Sequence, residues 1–294
     1  MLTRFIATVD TALATSVLVT GSTAAAGERA ATAVVVGQTG TPGMCGSANA
    51  MWVQYATAGT PTYTVPEAGV ITSVSHNANA MPGSIRAAFL GPAAAPGSRT
   101  VLAYTALFTV TPSTLNTFSV RLPVPAGAGL GIYTTAADMG CYLPTGAAGD
   151  VMAAGFGDPS ASSDYTPGGT LPNSRINLSA VWEPDVDKDG YGDVSQDVCP
   201  QLAATQAACP APETTLTKSP AKRSGKRKAK ISFTSVAGAT FTCAVDGKPA
   251  KPCTSPFKKR YGYGKHKVLV TAVSSVGIAD PTPAAVKFRI VRRR

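Results

Sequence analysis

Helical periodicity is missing from this chain of 294 residues, and charge is scarce, at 14% against 44% hydrophobic residues. No apolar run approaches the ~20 residues of a membrane-spanning helix, so no integral membrane span is expected. Histidine is reduced to His76 and His266, which leaves a Ser-His-Asp arrangement one local candidate and no supporting motif. No Cys-x-x-Cys spacing occurs, so neither a zinc site nor a redox dithiol is expected. Lysine is absent before Glu213 except for Lys188.

What remains is turn chemistry and short alternating runs. Gly 29 and Pro 23 punctuate stretches of apolar, Thr and Ser residues, a pattern of short strands that predicts an all-β protein. The length leaves room for two domains, since domains commonly run to ~100–200 residues. Residues 1–26 read as an export signal: Arg4 supplies a positive start, Ala12 to Val19 a short apolar stretch, and Ala24-Ala25-Ala26 a small-residue cleavage site. Asp10 departs from that pattern, lying near the start of the apolar stretch.

Six cysteines fall in local pairs: Cys45 with Cys141, Cys199 with Cys209, Cys243 with Cys253. Six allow ~15 connectivities, and the local pairing is the one expected. A disulfide framework persists in oxidising surroundings, which together with the signal predicts a secreted or cell-surface protein. Charge divides the chain sharply. Residues 211–294 hold nineteen Lys and Arg against Glu213, Asp246 and Asp280, a net of +16, whereas the rest holds seven against thirteen, a net of −6. Such a shift marks a domain boundary.

Residues 34–182 read as one β-sandwich of jelly-roll type. Phe118, Val120, Leu122 and Val124 alternate with polar neighbours, as do Ile176, Leu178, Ala180 and Trp182. Thr100–Val110 and Gly129–Thr134 are further strands, with Gly69, Gly83, Pro96-Gly97 and Pro125-Ala126-Gly127 at turns. Asp150, Asp158 and Asp164 are the acids that glycoside cleavage would need as a pair; the plainer reading of Asp158 and Asp164 is turn residues bonded to nearby backbone. Trp52, Tyr55 and Tyr63 suit stacking on sugars or, as strand aromatics more often do, a place in the core.

The sharpest signal follows Trp182. Counting Asp185 as position 1, carboxylates recur at Asp187, Asp189 and Asp193, with Gly190 at position 6. This is the D-x-D-x-D-G spacing of a calcium loop. Ca²⁺ takes six to eight oxygens at ~2.3–2.6 Å, and alternate residues of a curled loop direct theirs at one centre. Gly190 permits the bend and the Tyr191 carbonyl suits the seventh position. The alternative is an acidic solvated linker.

Asp-x-Asp-x-Asp-Gly-x-Gly-Asp followed by Asp197-x-Cys199-Pro200 resembles the thrombospondin type 3 calcium repeat, in a single copy reaching to about Pro210. The resemblance implies Asp185, Asp187, Asp189, Asp193 and the Tyr191 carbonyl as ligands of Ca²⁺. Gln196 stands at position 12, where a carboxylate is usual, and Asp197 one residue later; Asp197 is included as the closing ligand. Residues 183–210 are thus expected to be a calcium-binding linker.

Residues 211–294 begin a basic module. Phe241, Cys243 and Val245 share a strand face, Asp246-Gly247 is a hairpin turn, and Val268, Val270, Ala272 and Val286, Phe288, Ile290 mark two more strands. Pro252-Cys253-Thr254-Ser255-Pro256, Gly264-Lys265-His266-Lys267-Val268 and Asp280-Pro281-Thr282-Pro283 complete a resemblance to Ig-like repeat domains of exported bacterial proteins. That implies spacing or adhesion. Lys222 to Lys230, Lys258-Lys259-Arg260 and Arg292-Arg293-Arg294 are basic clusters, read either as the solvated surface of a soluble sandwich or as sites that attract polyanions, for which in an exported protein anionic glycans or wall polymers fit better than nucleic acid. The functional expectation is a non-catalytic calcium-binding protein whose hinge the ion orders, serving adhesion or polymer binding. The alternative is a carbohydrate-active enzyme with its catalytic site in residues 34–182.

Overall fold

The computed structural model describes residues 32–43, 45–92, 97–158 and 164–292, and the export signal expected at 1–26 lies outside them. Every regular element among the described residues is a strand. Fourteen precede the acidic loop: β1 (Val34–Gln38), β2 (Ala50–Ala56), β3 (Gly69–Asn77), β4 (Gly83–Leu90), β5 (Arg99–Tyr104), β6 (Phe108–Val110), β7 (Leu115–Val124), β8 (Gly129–Thr134), β9 (Tyr142–Leu143), β10 (Val151–Phe156), β11 (Asp164–Tyr165), β12 (Gly169–Pro172), β13 (Arg175–Ile176) and β14 (Leu178–Pro184). Eight follow it: β15 (Thr215–Lys218), β16 (Arg223–Ser224), β17 (Lys228–Thr234), β18 (Thr240–Val245), β19 (Lys251–Cys253), β20 (Phe257–Arg260), β21 (Gly264–Val273) and β22 (Ala284–Ile290). No helix of the described residues is long and apolar enough to cross a membrane.

In the first set, β1, β14, β3 and β7 form one sheet. The other runs β11-β5-β4-β8-β2-β10-β12, with β6 also on β4. The chain therefore switches sheets from β1 to β2, β2 to β3, β3 to β4, β6 to β7 and β7 to β8, and returns to the first sheet at β14, which is jelly-roll winding. Val36, Ile71, Leu178 and Trp182 from the first sheet meet Trp52, Phe89, Leu130, Ile132 and Met152 from the second in one core. The expected wet-face alternation holds for β7. β8, expected only as a strand, is buried at all six positions, because its Tyr133 packs with Met51, Leu90, Val101 and Tyr165 on the far face of the larger sheet. Covering both faces turns a half-buried strand into a continuously apolar one.

Two turn assignments need correction. Gly69 and Gly83 open β3 and β4. A Cβ on Gly69 would lie 2.3 Å from the Glu183 carbonyl oxygen and 2.6 Å from Trp182 Nε1, so this glycine serves close strand packing. The segment Thr100–Val110 is two strands, interrupted where the Thr105 hydroxyl accepts from Ala87 N–H at 3.1 Å. All three expected disulfides form, Cys45–Cys141, Cys199–Cys209 and Cys243–Cys253. The first spans 96 residues; in the chain-entropy account a link of that span contributes ~4–5 kcal/mol. Three disulfides fit an oxidising environment.

In the second set, β15-β17-β20 form one sheet and β16-β22-β21-β18-β19 the other. β16 runs parallel to β22 while the other pairings are antiparallel. This is an immunoglobulin-like arrangement of strands. Ile231 and Phe233 from one sheet pack with Cys243, Val268, Val270, Val286 and Phe288 from the other. The disulfide departs from the antibody pattern, since it joins the neighbouring strands β18 and β19 within one sheet. The Asp246-Gly247 turn is present, both residues at positive φ (53° and 76°).

Candidate metal centre

β14 delivers the acidic loop from the centre of the first sandwich. Its last residues, Glu183 and Pro184, pair with Val70 and Gly69 of β3. Glu183 is 2% exposed, and the loop folds around it. Its carboxylate accepts from Val194 N–H at 2.9 Å, Ser195 N–H at 2.8 Å, the Ser195 hydroxyl at 2.7 Å and the Thr72 hydroxyl at 3.0 Å. Burial pushes this acid up, and the donors from Ser195, Val194 and Thr72 outweigh it, holding Glu183 below its ordinary range. Gly192 is required here, because a Cβ would lie 2.5 Å from Glu183 Oε2.

Two further clips fix the loop. Gln196 Nε2 donates to the Val120 carbonyl at 2.8 Å. The Arg121 guanidinium lies 4.1 Å over the Tyr191 ring. Gln196 is thus an anchor onto β7, which accounts for an amide at the position where a ligand was expected. Glu183 and Gln196 were missed as working residues by the sequence reading. The only signal for Glu183 was an acid adjoining Trp182, beside the loop rather than in its spacing.

Within the loop the carboxylates converge. Ligand-type oxygens of Asp185, Asp187 and Asp189 lie within 4.8 Å of one another. Asp185 accepts from Asp189 N–H and Gly190 N–H, each at 3.0 Å, and so curls the loop around its own oxygens. Lys188 and Gly190 take positive φ, 63° and 85°, to allow it. Asp189 accepts from Tyr191 N–H at 2.8 Å and from Gln206 Nε2 at 2.7 Å.

The remaining acids are short of donors. Asp193 and Asp197 are 7% and 5% exposed. Asp193 Oδ2 accepts from Val186 N–H at 3.1 Å and Asp197 Oδ1 from Cys199 N–H at 2.8 Å. Their other oxygens, and both oxygens of Asp187, are buried without any hydrogen-bond partner. Burial, and then the charges of Asp185, Asp187 and Asp197, push Asp193 up to about 6, against the single opposing donor Val186. Burial, followed by the charges of Asp189, Asp197 and Asp185, raises Asp187 as well, opposed by the nearby Asp189 N–H, whose hydrogen bond goes to Asp185. Four carboxylate oxygens are thus buried without partners, two on Asp187 of the converging group and one each on Asp193 and Asp197, which lie outside its 4.8 Å grouping; the donor set is oxygen alone, without the imidazole or thiolate that select zinc or copper, and fits a hard cation. The cluster could hold a metal ion. Tyr191 is placed by its ring on Arg121 and by its N–H on Asp189.

The other candidate acids are spent on structure. Asp150 is fully buried; it pairs with Arg175 at 2.7 Å and accepts from Ala58 and Ala147 N–H at 2.7 and 2.6 Å. Asp158 pairs with Arg86 at 2.7 Å and Asp164 accepts from the Thr100 hydroxyl at 2.6 Å. His76 is wholly buried between the carbonyls of Asn177 and Met139 and is held below its ordinary value by burial. Trp52 and Tyr63 belong to the core, and Tyr55 lies under Arg99 at 4.3 Å.

Neither a family model nor a curated protein matches the chain. Among solved structures, a beta-1,2-glucanase from Parabacteroides distasonis is similar over 88% of this chain and 39% of its own, at 10% identity and a TM-score of 0.21. The chain thus spans well under half that enzyme's length, and a likeness so slight carries no argument about fold or activity.

Proposed function

We propose that this is a non-catalytic calcium-binding protein of the secreted or cell-surface class, in which Ca²⁺ orders residues 183–210 between two β-sandwiches serving adhesion or polymer binding. The observation that carries the reading is the set of four buried, partnerless oxygens on Asp187, Asp193 and Asp197. Desolvated carboxylates without donors or counter-charge are costly, and a bound cation removes that cost. Mg²⁺ usually keeps several waters and takes one or two carboxylates, whereas Asp185, Asp187, Asp189, Asp193, Asp197 and the Tyr191 carbonyl offer a ligand set made almost wholly of protein oxygens, which favours Ca²⁺. The type 3 repeat resemblance supports the same ligand set. The three disulfides support export, and the structural use of Asp150, Asp158, Asp164 and His76 supports a role without catalysis.

Calorimetric titration with Ca²⁺ and Mg²⁺, paired with limited proteolysis of residues 183–210, tests it. Calcium is expected to protect the loop, and binding at a hundredfold over Kd stabilises by ~2.7 kcal/mol. Asp187→Ala or Asp189→Ala abolishes the effect, and Asp197→Ala weakens it less. Absence of calcium heat and of protection at millimolar calcium overturns the proposal.

A further inference from the structure

Strand register places like charges opposite one another in the second sandwich. On β21 and β22, Lys265 faces Arg289 and Lys267 faces Lys287. On β17 and β20, Lys228 faces Arg260 and Lys230 faces Lys258. All eight side chains are exposed. Their alternating neighbours Ala229, Ile231, Val268, Val286 and Phe288 enter the single core between the sheets, so the two sets of four cations lie on opposite outer faces.

Directly opposed like charges destabilise a sheet, and nothing in the module offsets them. The ion pairs of the described residues are Arg86–Asp158, Arg175–Asp150 and His266–Asp246, so none of the eight cations has a carboxylate partner. The module's three acids are otherwise engaged: Asp246 by His266 and Lys267 N–H, Asp280 by Thr214 N–H, Glu213 by the Thr282 hydroxyl. Lysines guard exposed sheet edges against aggregation, which would serve for the edge strand β20. It does not serve for β21, which is interior to its sheet, whereas β22 is covered by β16 only at Arg289 and Ile290. There the cations line a concavity of about 730 Å³ that also includes Lys222, Phe288 and the paired Asp246 and His266. Cross-strand neighbours lie ~5 Å apart and alternate residues ~7 Å apart along a strand, a grid suited to a chain carrying a charge on each repeat.

We infer that each outer face of the second sandwich binds a strand of anionic polysaccharide, so that one molecule bridges two polymer segments. The inference deepens the polymer-binding half of the proposed function and is independent of its calcium half. Polysaccharide is favoured over nucleic acid because the disulfides belong to an oxidising compartment.

The test uses the full chain with heparin as the sulfated-glycan probe, with calcium and with chelator. Affinity is read against NaCl, and bridging by light scattering at substoichiometric protein. Lys267→Gln with Lys287→Gln, or Lys230→Gln with Lys258→Gln, is expected to weaken binding about tenfold, as expected for loss of salt-sensitive contacts to a polyanion, and to abolish scattering. The four together lose retention. Lys248→Gln with Lys251→Gln, exposed but outside the grids, changes neither. Lys287→Glu sets opposite charges face to face with Lys267, so the thermal midpoint rises while heparin binding falls; a purely structural lysine would lower the midpoint. Equal weakening by the Lys248/Lys251 variant overturns the sites in favour of net charge. Wild type that binds without scattering overturns bridging, and duplex DNA bound as tightly as heparin at equal salt overturns the polysaccharide. Retention that survives chelator while the loop shows no calcium heat separates failure of the calcium reading from failure of this one.

Discussion

Asp150 and Asp193 are both carboxylates with less than a tenth of their surface exposed, and their acidities move in opposite directions. Burial pushes each up. At Asp150 the Arg175 guanidinium and two backbone N–H groups outweigh it, and the acid is held below its ordinary value. At Asp193 one N–H opposes three neighbouring negative charges as well as burial, and the acid is driven to about 6. The difference lies wholly in what surrounds the oxygens. The first sandwich buries a carboxylate with its partners already in the chain, whereas the loop buries carboxylate oxygens that meet no donor among the described residues.

The same substitution at both sites should therefore have opposite signs, and this is the strongest way to break the comparison. Asp150→Asn leaves the buried Arg175 guanidinium, which also donates to Ala58 and Thr60 carbonyls, without its counter-charge. Removing one partner of a buried pair costs about 3–5 kcal/mol, measured as a fall in stability by denaturant unfolding with or without calcium.

Asp193→Asn is the smaller effect and the sharper one. The Asn oxygen can keep the bond from Val186 N–H, and the amide nitrogen replaces a partnerless oxygen with a donor beside other carboxylates. In chelator the variant should be more stable than wild type by about 1–2 kcal/mol, since each unit of upward shift is ~1.36 kcal/mol held against the charged form. In calcium the order should reverse. Destabilisation in chelator would mean that Asp193 is satisfied in some other way, and the contrast with Asp150 would fail.

Both halves of this contrast were unequally legible in the sequence. The acids of the loop announced themselves by spacing, because a curled loop places alternate local residues at one centre. Alternation and the Asp-Gly turn likewise revealed β18 and its hairpin, and local pairing gave the disulfides. Asp150 could not be matched to Arg175, nor Glu183 to Thr72, 111 residues away in the chain, because such partners are chosen by tertiary pairing. The burial of β8 on both faces, the close approach at Gly69 and the facing of Lys267 with Lys287 have the same origin. Each depends on register, which no single segment contains.

His266 and Asp246 provide the smallest contrast, a pair satisfied within the chain but at the surface. His266 Nδ1 lies 2.8 Å from Asp246 Oδ2, with side chains 11% and 37% exposed. Burial would lower His266, but Asp246 and the Gly262 carbonyl outweigh it and raise the ring above 6.5. Burial would raise Asp246, but His266 and Lys267 N–H outweigh it and hold the acid below 3.8. The histidine contribution to stability is complete below its unfolded value and is lost as pH rises through the raised folded value. The aspartate contribution is complete above its unfolded value and is lost as pH falls through the depressed one. Both are therefore present between about pH 4 and 6.5. His266→Gln should cost only about 0.5 kcal/mol in that window, as screened surface pairs do, with the gap to wild type narrowing in more alkaline solution. An NMR titration of the two histidines checks the cause directly: His266 should titrate above 6.5 and the buried His76 below it. A gap that does not change with pH would assign the effect to the packing of His266 on Tyr261, at 4.9 Å between ring centroids, and the ion pair would contribute nothing.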